Sequence, residues 1–340
     1  MDTTIKSSSS RNTTIDYLKA FAIILVVLGH SLSFYANNIN PLPNGMKIFS
    51  SLVYAVHVPL FFLIAGYLCH KQDVKKFYQK KFLRILIPFI TFTVLKLLFS
   101  NLVTKDFIHG NSVWEQLLDA FVFGELYWFA YSIFLMFLMM PLIWEKNYKE
   151  PPRKAILFLL LFIIFNTLLG AFNNQINFNF FQIQKTIYYL PFFLSGFIAR
   201  YYKDLISHLI HKYKVIIAAI CLFLIVMYSV LIGFGVGINS YLVKYMIAIA
   251  LMYCLYLIAS LVKKGNKTLS RIGQFSFQLM LLDSFYKVIL YKIFGRLFLG
   301  GAMDMVIIFI IPAIDLLLGV ISCEIVRRIP KINILFGLQK

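Results

Sequence analysis

The chain has 340 residues, of which 60% are hydrophobic and only 14% charged, with a mean hydropathy of +0.80. Soluble domains carry about 45–50% apolar and about 25% charged residues, so water is excluded as the main solvent of the folded chain. The formal net charge of +19 would suit a nucleic-acid binder, but its placement along the chain argues against nucleic acid as a partner.

Residues 1–14 are polar, rich in Ser and Thr, and read as a disordered tail. Beyond them the chain reads as one membrane domain, residues 15–328, with a second short tail at 329–340. A helix needs roughly 20 mostly apolar residues to cross a hydrocarbon core about 30 Å thick. Windows of that size predict ten spans, near residues 17–36, 48–69, 84–103, 126–144, 155–172, 186–202, 214–235, 240–262, 272–294 and 304–326. The fold class expected is therefore all-α, a polytopic integral membrane protein. Stretches such as 37–45 and 173–179, with Asn, Pro, Gly and Lys, suit exposed turns between spans. The chain ends about 14 residues past the last expected span, so any chemistry is expected within the bundle or at its surfaces.

Charge placement gives the expected topology. With the amino terminus in the cytoplasm, 25 of the 33 Lys and Arg fall on the inner side, 6 on the outer side, and Lys96 and Lys287 within spans. That asymmetry follows the positive-inside rule and predicts both termini in the cytoplasm of a multi-pass plasma-membrane protein of bacterial type. Such a belt also attracts membrane lipid. Cys69, Cys221, Cys254 and Cys323 lie at or within different spans with no metal-ligand spacing, so they read as small core residues, and no metal is expected.

Polar side chains at bilayer depth are costly and point to function. Here they are His30, His57, Lys96, Asp283 and Asp315. His30 sits about six residues, or about 9 Å, below the outer end of the first span, and His57 about nine residues, or about 14 Å, below the outer end of the second. Two imidazoles thus reach similar depth on consecutive helices. Imidazole has an unperturbed pKa of about 6.5, and acyl transfer to a hydroxyl needs a group that takes and returns a proton near neutrality. His30 and His57 are accordingly candidate catalytic residues. Lys19, Lys80, Lys81 and Arg84 stand at the inner ends of the first and third spans, where they can bind the phosphates of an acyl-coenzyme A donor.

These residues carry a resemblance. Asp16 through His30, with an Asp, a basic residue and a His closing an apolar run, resembles the opening helix of the acyltransferase family 3 membrane proteins. The family usually has Arg where this chain has Lys19, which keeps the charge and loses the bidentate fork. The segment from His57 to Tyr67 is similar to the second-helix signature, especially in the sugar O-acetylase branch, and Arg84 with Pro88, and Tyr127-Trp128-Phe129, fit weaker landmarks. Where family members often carry a Tyr-Leu-Leu-His-like segment, this chain has residues 278–283 ending in Asp283, about 16 Å into its span; Asp283 is a third candidate catalytic residue, expected to orient or pair with His30 or Lys96, with a structural hydrogen bond as the alternative. The resemblance implies transfer of an acyl group, commonly acetyl, from cytoplasmic acetyl-CoA or another acyl-CoA to a hydroxyl of a glycan or lipid-linked sugar. Lys19, Arg84 and Lys81 are then candidate donor-binding residues, and Asp16, Tyr127 and Trp128 candidate substrate-binding residues. The alternative is a transporter or flippase of a lipid-linked saccharide with the buried His and Asp as a proton relay. Homo-oligomerisation is compatible with either.

Overall fold

The computed structural model describes residues 12–104, 112–145, 150–171, 180–263, 265–298 and 300–338. The expected tail over residues 1–11, the turn at 173–179, and Lys105, Lys146, Lys149, Lys264 and Lys340 of the charge pattern lie outside them. Every regular element among the described residues is helical.

In chain order the elements are α1 (Thr13–Asn38), α2 (Asn44–Leu68), α3 (Val74–Lys81), α4 (Ile87–Phe99), α5 (Val113–Leu117), α6 (Trp128–Ile143), α7 (Arg153–Ala171), α8 (Ile183–Tyr201), α9 (Lys203–Lys212), α10 (Lys214–Gly233), α11 (Tyr241–Leu261), α12 (Lys267–Gln274), α13 (Ser276–Phe294), α14 (Ala302–Arg328) and α15 (Ile332–Leu335). Each expected span coincides with a long helix. By length and composition, seven helical runs suffice to cross a membrane: α1, α2, the run from Val74 to Leu102, α7, α10, α11 and α14. The helices at the other expected spans are shorter or more polar. α6 has 16 residues, α8 carries Gln184, Lys185 and Arg200, and α13 carries Asp283, Lys287 and Lys292.

Three edges depart from expectation for local reasons. α1 starts at Thr13, where the Asn12 side chain accepts a hydrogen bond from the Thr14 amide, so the end of the expected tail is already helical. The third span is longer at its start: Asp73 caps α3 through the Lys76 amide, and the helix runs through a π turn at Phe82–Leu86 into α4. Its first two turns carry Lys75, Lys76, Lys80 and Lys81, a charged helical stem that apolar windows miss. The ninth span breaks at Phe275, which separates α12 from α13.

α1 is the hub, packed against α2, α11, α12, α13 and α14. Its buried side chains, Ile23, Val26 and Val27 among them, join those of α2, α6, α8 and α13 in one core. α7 and α10 lie at the periphery and are mostly uncovered. Between apolar helices in lipid, small residues that let backbones approach take the place of a hydrophobic drive. A Cβ on Gly66 would sit 1.8 Å from the Phe193 carbonyl oxygen, and one on Gly196 1.9 Å from that of Leu63, so α2 and α8 touch backbone to backbone. Gly273 does the same for α12 against α1, at 1.9 Å from the Asp16 carbonyl oxygen.

The crossing sets a stability prediction. Gly196→Leu is expected to abolish the monodisperse peak of detergent-solubilised protein in size-exclusion chromatography, whereas Gly45→Ala, whose Cβ would meet nothing within 4 Å, is expected to leave it unchanged. A monodisperse Gly196→Leu protein would show that the helices can separate without loss of the fold.

Candidate active site

His30 lies on the hub helix, eight residues before its end. Its Nδ1 is 2.6 Å from Oδ2 of Asp283 on α13. Against a carboxylate, Nδ1 is the donor, which leaves Nε2 as the free acceptor of the neutral ring. The imidazole is 37% exposed and the carboxylate only 2%, so the pair has one buried and one accessible end. Lys287, one helical turn beyond Asp283, brings its Nζ to 3.7 Å from the same oxygen. Asp315 on α14, itself buried, lies near Asp283.

His57 sits on α2 two residues before Pro59, and its side chain is almost wholly buried. Its Nδ1 is 2.7 Å from the Val53 carbonyl oxygen, which can only accept, so Nδ1 carries the proton and Nε2 is again the acceptor. The Tyr54 ring stands edge-on to the imidazole at 5.0 Å, and the Tyr54 hydroxyl donates to the Gly29 carbonyl at 3.1 Å. One tyrosine thus ties the backbone beside His30 to the ring of His57.

Both histidines line a cavity of about 680 Å³, together with Asp283, Ser284 and Lys287 of α13. Its aromatic wall comes from α6 and α8, where Trp128 stacks on Tyr189 with ring centroids 5.5 Å apart and 26° between planes. Tyr127, buried, donates to the Leu281 carbonyl at 3.1 Å and shares a hydrogen bond with the Ser284 hydroxyl at 2.9 Å. Tyr127 therefore braces the α6 end against α13, while Trp128 lines the cavity. Gln184 and Lys185 at the start of α8 complete the rim, and the Lys185 ammonium lies 4.9 Å from the Trp128 ring centroid.

The structure divides the sequence candidates into two groups. His30, His57, Asp283, Tyr127 and Trp128 share the cavity. Lys19, Lys81 and Arg84 gather instead at the end of the bundle where α1 begins: Arg84, Lys80 and Lys19 all lie within electrostatic reach of Lys81, whose ammonium sits 3.4 Å from the Phe137 ring centroid. Arg200 of α8 joins this end through a 3.2 Å hydrogen bond to the Tyr67 carbonyl. Asp16, the remaining sequence candidate, lies apart from the cavity. It is buried in the first turn of α1, its backbone against Gly273 of α12, 14 residues or about 21 Å along the helix from His30, and it does not reach the cavity. Lys96 does not bond Asp283 directly; its Nζ donates to the Ser284 carbonyl at 2.8 Å. Lys287 and Lys185 were not site candidates. The signal for Lys287 was its i,i+4 spacing from Asp283 on a helix; Lys185 offered none beyond its place at a span edge.

Residues 12–322 match the family described as "Acyltransferase domain". The chain belongs to this acyltransferase family. A curated relative, the nodulation protein NolL of Sinorhizobium fredii (strain NBRC 101917 / NGR234), is 30% identical over 141 residues. That alignment covers 39% of this chain and spans only 36% of the relative. No solved structure gives a significant match. Family membership and the long apolar helices together make the chain an integral membrane protein of the acyltransferase class.

The two histidines differ in access, which is directly measurable. On treatment of the folded protein with diethyl pyrocarbonate, His30 is expected to be modified early and His57 much more slowly, as read by peptide mass spectrometry. Equal rates at both would contradict the burial of His57.

Proposed function

We propose that the chain is a membrane O-acetyltransferase that moves an acetyl group from acetyl-CoA to a hydroxyl of a glycan or lipid-linked sugar. The observation that carries this reading is the His30–Asp283 pair at 2.6 Å, opening on a cavity of about 680 Å³. A base aimed into the cavity, held from behind by a buried carboxylate, is the arrangement that acyl transfer to a hydroxyl requires.

In the proposed reaction the acceptor hydroxyl donates to His30 Nε2. As its oxygen attacks the thioester carbonyl, the proton passes to the imidazole and a tetrahedral adduct forms. Its collapse breaks the C–S bond, and the imidazolium returns the proton to the departing thiolate, leaving the acetyl ester and free coenzyme A. Asp283 keeps Nδ1–H fixed and stabilises the transient imidazolium. His57 Nε2 is a second acceptor on the same wall and suits the orientation of the sugar. The aromatic wall that includes Trp128 offers apolar contact for a pyranose ring, and Lys287 places a positive charge near the developing oxyanion.

The donor's phosphates fit the basic cluster of Lys19, Lys81 and Arg84, to which Arg200 adds a further guanidinium. Those groups belong to the charge-rich side of the chain, so we assign that side, and both termini, to the cytoplasm of a plasma membrane. The acceptor would then meet His30 from the opposite side.

Isolated membranes supplied with acetyl-labelled acetyl-CoA test the reading. His30→Ala is expected to lower kcat by about 10²–10⁴-fold, and Asp283→Asn to lower kcat with little change in KM for acetyl-CoA. Arg84→Ala is expected to raise that KM by about tenfold, the loss of one charge-assisted phosphate contact. Undiminished transfer by correctly inserted His30→Ala would end the proposal. Movement of a lipid-linked saccharide across the membrane without change in mass would favour a flippase instead.

A further inference from the structure

A second cavity, of about 560 Å³, lies on the far side of α1 from the active site, between α1, α12 and α14. Its walls are apolar: Ile24 and Leu28 from α1, and Phe309, Pro312, Leu316 and Leu317 from α14. Phe309 and Leu317 are 45% and 60% exposed, so the groove opens sideways, where lipid surrounds the bundle. Its other lining is of a different kind. Lys267, Thr268 and Arg271, all exposed on α12, close the end of the groove at the charge-rich side.

The dimensions match half a bilayer. From Phe309 to Val320 the groove follows α14 for 11 residues, about 16 Å along the axis, against a leaflet of about 15 Å in a hydrocarbon core about 30 Å thick. Charge at the closed end is unbalanced in one direction. Arg271 Nε binds Glu324 Oε1 at 2.7 Å, but Glu324 also receives Arg327 at 2.7 Å. One carboxylate therefore answers Arg271 and Arg327 together, and Lys267 stands beside them at i,i+4 from Arg271, on the same face of α12. A hydrocarbon slot one leaflet deep that ends in Lys, Thr and Arg is complementary to a fatty chain capped by an anionic phosphate. A neutral chain would satisfy the slot and leave the excess positive charge unanswered.

We propose that this groove binds one acidic phospholipid, with an acyl chain against Leu28, Pro312 and Leu316 and its phosphate on Lys267, Thr268 and Arg271. The site has a structural consequence. Leu28 is two residues before His30, and Pro312 and Leu316 flank Asp315, which faces inward against Asp283. A chain in the groove fills the outer side of the same α1–α14 contact whose inner side holds the His30–Asp283–Asp315 cluster. Removing it uncovers that contact.

The proposal is independent of the reaction assigned above and is tested by binding. Delipidated full-length protein in neutral detergent is offered equimolar phosphatidylglycerol and phosphatidylcholine with identical chains, and retained lipid is counted by native mass spectrometry. One phosphatidylglycerol is expected to be retained, at about tenfold over phosphatidylcholine, about the contribution of one to two basic residues to anionic lipid binding. The pair Lys267→Gln and Arg271→Gln is expected to bring the two lipids to parity, and Lys212→Gln on α9 to leave the preference intact. Because Arg271→Gln also breaks the Glu324 pair, Ala313→Trp provides a second arm: Ala313 is exposed, and an indole there fills the groove without touching a charge, so retention of both lipids is expected to fall. Parity in the unaltered protein, or a preference that survives both the charge pair and Ala313→Trp, would overturn the proposal.

Discussion

The arrangement depends on one carboxylate at membrane depth. Taking an ion out of water costs several kcal/mol even after relaxation, and that cost is recovered only with close, well-placed partners. Asp283 has two at its Oδ2: His30 from α1 at 2.6 Å and Lys287 from its own helix at 3.7 Å. Removing one partner from such a buried pair typically costs about 3–5 kcal/mol, whereas a surface pair is worth about 0–1 kcal/mol. The interaction therefore ties α1 to α13. Because its His30 end is accessible, the element that holds the bundle together is also the one that can handle a proton.

The cavity exists beside this pair because of how α2 and α8 meet. At residues 63–66 and 193–196 the two helices are in backbone contact through Gly66 and Gly196, and no side chain fits between them. One to two turns away the same helices carry His57, Val58 and Phe61 on one side and Gln184, Lys185, Tyr188 and Tyr189 on the other, and there they line open space. The glycine contact is thus the floor against which the site is built. The fixed aromatic rings just above it, Phe62 stacked at 5.2 Å on Tyr189 and at 4.7 Å from Phe129, give the wall its shape.

Much of this was legible in the sequence, and the parts that were not share a cause. The all-helical fold and its long apolar helices followed from apolar windows, because hydrocarbon imposes one length scale on every span. His30, His57 and Asp283 could be picked out because polar groups are so rare at that depth that each one is informative. The place of Asp16 was not legible because a motif gives order along the chain and not height in the bundle: it opens the same helix as His30 but is about 21 Å away along the axis. The break at Phe275 escaped because α12 is held by a tertiary contact, Gly273 on the Asp16 backbone, which leaves no trace in hydropathy. Lys185 and Trp128 meet only through the packing of α6 on α8, and no spacing rule relates residues so far apart.

The separation of the two charged sites shapes any account of how a donor is used. The cavity ends at Val26, Phe61, Phe129 and Met280, and Lys19, Lys81 and Arg84 are not part of its lining. From Lys19 to Val26 is seven residues, about 10 Å of helix. That interval is crossed by rings in succession: Phe62 and Phe129 near the cavity, then Phe193 against Phe137 at 5.3 Å, then Phe137 against Phe77 at 5.9 Å and beneath the Lys81 ammonium. In the proposed reaction, a donor held by its phosphates at the basic end would have to pass a thin flexible arm through this layer to bring a thioester to His30. Aromatic rings can turn about two side-chain dihedrals without disturbing the helices that carry them, whereas the glycine contact between α2 and α8 cannot open without separating backbones. The passage, if the donor binds there, belongs on the α6 side of the layer, along Phe129 and Phe137, and not between α2 and α8.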